Sequence, residues 1–180
     1  MDAPGRLLEM HSRCSTLREN IVEHMFIGAA LRRLWQHGVT DVEILRAEFD
    51  AGGYDLVVSR GSATPRHVQL KASLAGGSTR DVKINLKLAE RQSGCVIWID
   101  VTLGLELQAF FWLGNPAGQP LPDISGLKVA RHAKGTSEGT KNERPALRVV
   151  PRSWFTRLQD LDEVLVRLVG ALPDAGKQIG

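Results

Sequence analysis

The sequence predicts an α/β fold built on a mixed central sheet. Three observations carry this reading. A long, apolar helical pattern stands early in the chain, three short strand-like runs follow it, and a helical stretch then leads into an uninterrupted apolar run. The order helix, strand, strand, strand, helix, strand interleaves short strands with helices, as α/β domains do. With 180 residues, 43% of them hydrophobic, the chain is long enough to bury a core as one domain. That domain is expected over 1–172, with 173–180 a frayed tail.

The first element is a helix over 17–37. Thr16 and Glu19 have the spacing of a capping box, and Gly38 is a natural stop. Its middle, IVEHMFIGAALRRLW, is apolar around most of its circumference, which predicts packing on more than one side. Strands are expected over 41–46, 55–59 and 66–72, the last two joined by a Gly/Ser/Pro turn. The segment SLAGGSTRD reads as a loop. Over 83–92 two patterns compete: Val82, Ile84, Leu86 and Leu88 alternate as in a strand, while KLAERQ favours helix with Gly94 as its cap. The helix is the reading adopted. CVIWIDV, 95–101, is apolar enough for a strand buried on both faces, and 108–113 is a further strand. An extension follows, with a strand over 146–150 and an amphipathic helix through Leu168. Ser153 or Asp160 opens that helix, and Leu161, Val164, Leu165 and Leu168 share one face.

Composition narrows the function classes. The net charge of +3 permits nucleic-acid binding without requiring it. Two cysteines, Cys14 and Cys95, make no disulfide framework. No apolar run reaches the roughly 18 residues of a membrane span, and MDAPGRLLEMHSRC lacks a signal-peptide core. A soluble cytoplasmic protein without a membrane partner is expected.

The residues that carry chemistry lie in GGYDLVVSRGSATPRHVQLKAS. Strand alternation points Gln69 and Lys71 to one face and Val68 and Leu70 to the other. If the two runs pair as a hairpin, Asp55 reaches the polar face. A carboxylate, an amide oxygen and an ammonium then converge beside a buried layer, a set suited to holding a divalent metal and steadying a phosphate. On the helix, Glu23 heads the stripe Ile27, Ala30, Leu34. A buried carboxylate needs a counter-charge or a metal, and taken alone Glu23 reads as the salt-bridge partner of a nearby arginine or as a glutamate at the wet end of the stripe.

The order helix-Glu, Asp, then Gln-x-Lys resembles the PD-(D/E)XK nuclease superfamily, in its Mrr-like variant with Gln at the second acidic position. The resemblance covers about residues 16–101. It implies a restriction-endonuclease-like fold with an α-β-β-β-α-β core, and a metal-dependent endonuclease that hydrolyses DNA, in defence or repair. Asp55 would be the central ligand of Mg²⁺ or Mn²⁺, Gln69 would offer its carbonyl oxygen and Leu70 its backbone carbonyl, and Lys71 would orient the attacking water or neutralise phosphate charge. Glu23 would be the helix acid, with Glu19 the competing choice. Two departures stand out: Tyr54 replaces the usual proline before Asp55, and Gln69 removes one negative charge, which lowers Mg²⁺ affinity. Lys83, Lys87 and Arg91, with Lys128, Arg131, Lys134, Lys141 and Arg144 of the basic region, would grip the sugar-phosphate backbone. By analogy with relatives that cut both strands, a homodimer is expected. The runner-up function is an inactive module of the same fold that binds nucleic acid or a protein partner.

Other motifs fail. Gly135-Thr136-Ser137-Glu138-Gly139 matches a nucleophile-elbow pattern but lacks a preceding apolar strand and a following histidine. His11 and Cys14 have metal-like spacing without a second pair. Trp35, Trp98, Trp112 and Trp154 sit in apolar contexts and are expected in the core.

Overall fold

The early helical pattern forms one helix, preceded by a second that was not expected, in the computed structural model, which describes residues 3–49, 51–131 and 142–174. Helix α1 (Ala3–Arg13) leads into α2 (Ser15–Gln36) through Cys14. The expected capping box is absent. Cys14 takes the N-cap position with no side-chain bond, and its own carbonyl accepts from Arg18 N–H at 2.9 Å. Because α1 feeds its carbonyls straight into α2, the first donors of α2 need no side-chain acceptor. At the other end Gly38 stops the helix as expected. It adopts φ +69°, and Val39 N–H returns to the Leu34 carbonyl at 2.9 Å. This is a left-handed helix terminus that glycine takes without steric penalty.

Strands β1 (Val42–Arg46), β2 (Leu56–Arg60) and β3 (Arg66–Leu74) form an antiparallel meander. The chain then crosses over through β4 (Asp81–Asn85) and the single turn α3 (Leu86–Ala89) to β5 (Gly94–Val101), which pairs parallel to β3. Next come β6 (Leu107–Gly114), β7 (Val129–Arg131), β8 (Glu143–Pro151), a 3₁₀ turn (Arg152–Trp154), β9 (Thr156–Leu158) and α4 (Leu161–Val169). The main sheet is six-stranded and mixed, in the order β1-β2-β3-β5-β6-β9, and a three-stranded sheet runs β4-β8-β7. The chain is therefore mixed α/β, with a six-stranded mixed sheet flanked by helices.

The helix expected over 83–92 is corrected. Its first residues form β4 and only Leu86–Ala89 are helical, started by the Asn85 side chain accepting from Lys87 N–H. The alternating Val82 and Ile84 won because a partner strand, β8, was available across the second sheet, and Ile84 is fully buried there. Gly94 is the first residue of β5 rather than a cap. The last helix opens at Asp160, whose carboxylate accepts from Glu163 N–H, and it buries Val164, Leu165 and Leu168 as expected.

Two cores sit on the two faces of the main sheet. On one face Val22, Phe26, Ala30 and Leu34 of α2, with Val164, Leu165 and Leu168 of α4, cover Leu56, Val58, Val68, Ile97 and Ile99. The buried stripe of α2 thus starts at Val22, one residue from Glu23. On the other face Val96, Trp98 and Leu113 pack against Ile84, Leu88, Val150 and Phe155. Every residue of β5 is buried, as its sequence predicts. Trp98 and Trp112 are core residues. Trp35, at 75% exposure, and Trp154, at 40%, are not. Trp35 follows the buried Leu34 directly in α2, so an apolar neighbourhood in sequence was no guide to its exposure. Among the described residues no helix is long and apolar enough to cross a membrane.

Candidate functional site

The register of β2, β3 and β5 places the predicted residues. Leu56 pairs with Val68, and Asp55 N–H donates to the Val68 carbonyl at 2.8 Å, so Asp55 stands at the mouth of the hairpin next to Gln69. On the other side of β3, Gln69 lies beside Val96, Lys71 beside Trp98 and Ser73 beside Asp100. Gln69 and Lys71 therefore share the face of the second core, as alternation predicts.

Asp55 has a local structural task. β2 begins only at Leu56, so nothing in that strand meets the next N–H of β3. The Asp55 carboxylate stands in, accepting from Leu70 N–H at 2.7 Å. Gly52 and Gly53 deliver it. Gly53 adopts φ +75°, and a Cβ there would lie 2.9 Å from the Asn85 Cβ, so the loop 51–54 lies close on α3. Lys87 Nζ donates to the Ala51 carbonyl at 3.1 Å, and the Arg91 guanidinium lies 5.6 Å from the centre of the Tyr54 ring. Across the hairpin, the His67 ring meets Tyr54 edge-on at 4.8 Å.

Gln69 is 4% exposed, and its Oε1 is buried with no hydrogen-bond partner among the described residues. Leaving such an acceptor unsatisfied costs about 1–3 kcal/mol. Lys71 is half-buried, and its side chain makes no ion pair or hydrogen bond among the described residues. Glu23 is claimed already: it pairs with Arg46 of β1, the local reading of the sequence. Arg46 lies opposite Leu56, so this pair sits one residue from Asp55 in register, with Glu23 approaching from the face that α2 covers. Glu19 is exposed, 3.8 Å from Arg18.

The expected basic grip divides in two. Lys87 and Arg91 flank the Asp55 loop. Lys83, Lys128, Arg131 and Arg144 belong to the small sheet and its edges, where Lys83 Nζ donates to the Arg131 carbonyl at 3.2 Å and Arg131 meets Glu143 at 3.4 Å. Lys134, Lys141 and the 135–139 elbow pattern lie outside the described residues.

A polar cluster that the sequence reading did not single out lies further along the same face. Arg152 grips Asp100 with both terminal nitrogens, at 2.7 and 2.8 Å. Ser73 Oγ donates to Asp100 at 2.6 Å, and Trp98 Nε1 donates to Ser73 at 2.8 Å. Burial pushes the Asp100 carboxyl up, but the hydrogen bonds from Arg152 and Ser73 outweigh it and hold the group below the ordinary carboxylate range. The available signal was one acid inside an otherwise apolar strand.

Chemically, the face around Gln69 offers the Asp55 carboxylate, nearby backbone carbonyls, and an amide oxygen and an ammonium that have no partner among the described residues, while the Asp100 carboxylate further along is taken by Arg152. Among the described residues no three His, Cys, Asp or Glu side chains come together as a metal-binding group. No family model, curated protein or solved structure matches this chain.

Proposed function

We propose that this chain is a metal-dependent nuclease of restriction-endonuclease-like fold that hydrolyses phosphodiester bonds in DNA. The observation that carries the proposal is Gln69 Oε1: a buried acceptor on the strand that Asp55 caps, two residues from Lys71, neither group having a partner among the described residues. A hard divalent cation would supply the partner that such an oxygen needs. Asp55, Gln69 and the Leu70 carbonyl would hold Mg²⁺ or Mn²⁺, with Glu23 joining only by releasing Arg46 and reaching round the start of β2 from the face that α2 covers. When bound, the metal supplies a coordinated water of lowered pKa and positive charge at the phosphate.

The chain's own residues do the rest. Lys71 supplies a fixed positive charge where the transition state becomes more anionic. Lys87 and Arg91, beside the loop that delivers Asp55, position the backbone of the nucleic acid without reading its sequence. The antiparallel meander followed by a parallel β5 supports the fold part of the reading.

The test is nicking of supercoiled plasmid by the wild type and by Asp55→Asn and Lys71→Ala, each checked for folding by circular dichroism. Cleavage that needs Mg²⁺ or Mn²⁺ and falls at least about a hundredfold in both variants is expected. Salt-sensitive DNA binding without metal-dependent cutting would replace the nuclease with the inactive binding module, and neither binding nor cutting would remove the proposal altogether.

A further inference from the structure

The molecule carries a second polar feature on the opposite face of β3. Alternation puts Arg66 on the side of Val68 and Leu70, under α4. Arg66 is 3% exposed, and no carboxylate accompanies it among the described residues. Its Nε donates to the Arg167 carbonyl at 3.1 Å and its Nη1 to the Asn115 carbonyl at 2.9 Å. Nη2 has no acceptor among the described residues. The guanidinium lies 5.4 Å from the centre of the Trp112 ring, and that of Arg167 lies 5.9 Å from the same ring. Arg167 reaches Glu163 with Nη2 at 3.2 Å, while its Nε is buried without a partner among the described residues.

These two side chains line a half-open cavity of about 400 Å³ between the end of β6, the start of β3 and the C-terminus of α4. Thr64 and Asn115 line it too, and among the described residues no Asp or Glu does. A buried guanidinium held only by carbonyls is incompletely neutralised. Glu163 balances Arg167, and the C-terminus of α4 contributes roughly half a negative charge, so the cavity keeps a positive excess and spare N–H donors. Arg66 of β3 has Nη2 left over and Arg167 of α4 also lines the cavity, and donors from two elements suit a tetrahedral oxyanion, whose oxygens can be shared between them, better than a planar carboxylate that one fork saturates.

We infer that this cavity binds a phosphate-type oxyanion, free or as a phosphate monoester, between Arg66 and Arg167. The inference is independent of the nuclease reading, because the cavity lies on the other face of the sheet from Asp55, Gln69 and Lys71.

The test titrates the full chain with inorganic phosphate at constant ionic strength set by chloride, following amide and indole resonances by NMR. Saturable shifts centred on Thr64, Asn115 and the Trp112 indole are expected, with a dissociation constant on the order of 1 mM. A parallel titration with a 5′-phosphorylated dinucleotide and its 5′-hydroxyl form separates the two sources, since tighter binding of the phosphorylated form than of free phosphate marks a monoester site. Arg66→Gln removes the buried fork but also a support of α4. Arg167→Gln, on the partly exposed side, is therefore the decisive variant, expected to weaken binding at least about tenfold with the fold intact. Unsaturable or scattered shifts in the wild type, or an Arg167→Gln protein that binds phosphate as tightly, would overturn the inference.

Discussion

Arg152→Met is the perturbation whose outcome follows most directly from the geometry. Arg152 makes two charge-assisted bonds to Asp100, a third contact to Ser73 Oγ at 3.2 Å, and lies 4.0 Å from the Trp98 ring centre. It joins the 3₁₀ turn after β8 to β5, and so ties the small sheet to the main one. Methionine keeps much of the apolar stem but leaves the Asp100 carboxylate, 8% exposed, with Ser73 alone. A buried pair broken at one end costs about 3–5 kcal/mol. The Arg152 side chain is 27% exposed, so water recovers part of this, and about 2–4 kcal/mol is expected. Asp100→Asn should cost less, about 1–2 kcal/mol, because the freed guanidinium can turn to solvent. The double variant removes both charges, so it should lose less than the two single effects combined, with a coupling of about 1.5–3 kcal/mol.

Urea unfolding followed by tryptophan fluorescence and circular dichroism measures all four proteins. The pH dependence has a definite sign. The folded-state pKa of Asp100 is depressed, so the pair contributes fully above the unfolded value of about 4 and its contribution disappears as pH falls through the lower folded value. The coupling should therefore be intact at neutral pH and shrink in strong acid. A loss under about 1 kcal/mol for Arg152→Met, or a coupling near zero at neutral pH, would refute the claim that this pair pins the two sheets.

Three further outcomes are expected. Gln69→Leu should change stability by less than about 1 kcal/mol or raise it, since the amide oxygen makes no bond among the described residues, whereas Gln69→Glu should destabilise by about 2–4 kcal/mol and recover with Mn²⁺ in thermal unfolding; a Gln69→Glu protein indifferent to metal would count against a cation at this position. Native protein should expose one thiol to a disulfide reagent and denatured protein two, because Cys14 is exposed while Cys95 is fully buried with its thiol pushed up to about 12 by burial; two thiols reacting at equal rates in the native state would contradict this. Asp160→Ala should cost about 1 kcal/mol in urea unfolding by removing the acceptor for Glu163 N–H, and an unchanged midpoint would show that α4 is held by packing alone.

Several elements were written locally. The extent of α2, its stop at Gly38, the doubly buried β5 and the opposite facing of Gln69 and Leu70 all follow from periodicity and from glycine's freedom at positive φ, which are properties of a short stretch of chain. Other features depended on partners distant in sequence. Val82 and Ile84 became a strand because β8 lay ready to pair. Glu23 met Arg46 because α2 packs on the face of the sheet that carries the Arg46 side chain. Arg66 and Asp100 found, respectively, bare carbonyls and an arginine from the far end of the chain. Spacing along a chain fixes which way a side chain faces, while burial, pairing and charge balance arise from groups that only the folded arrangement brings together.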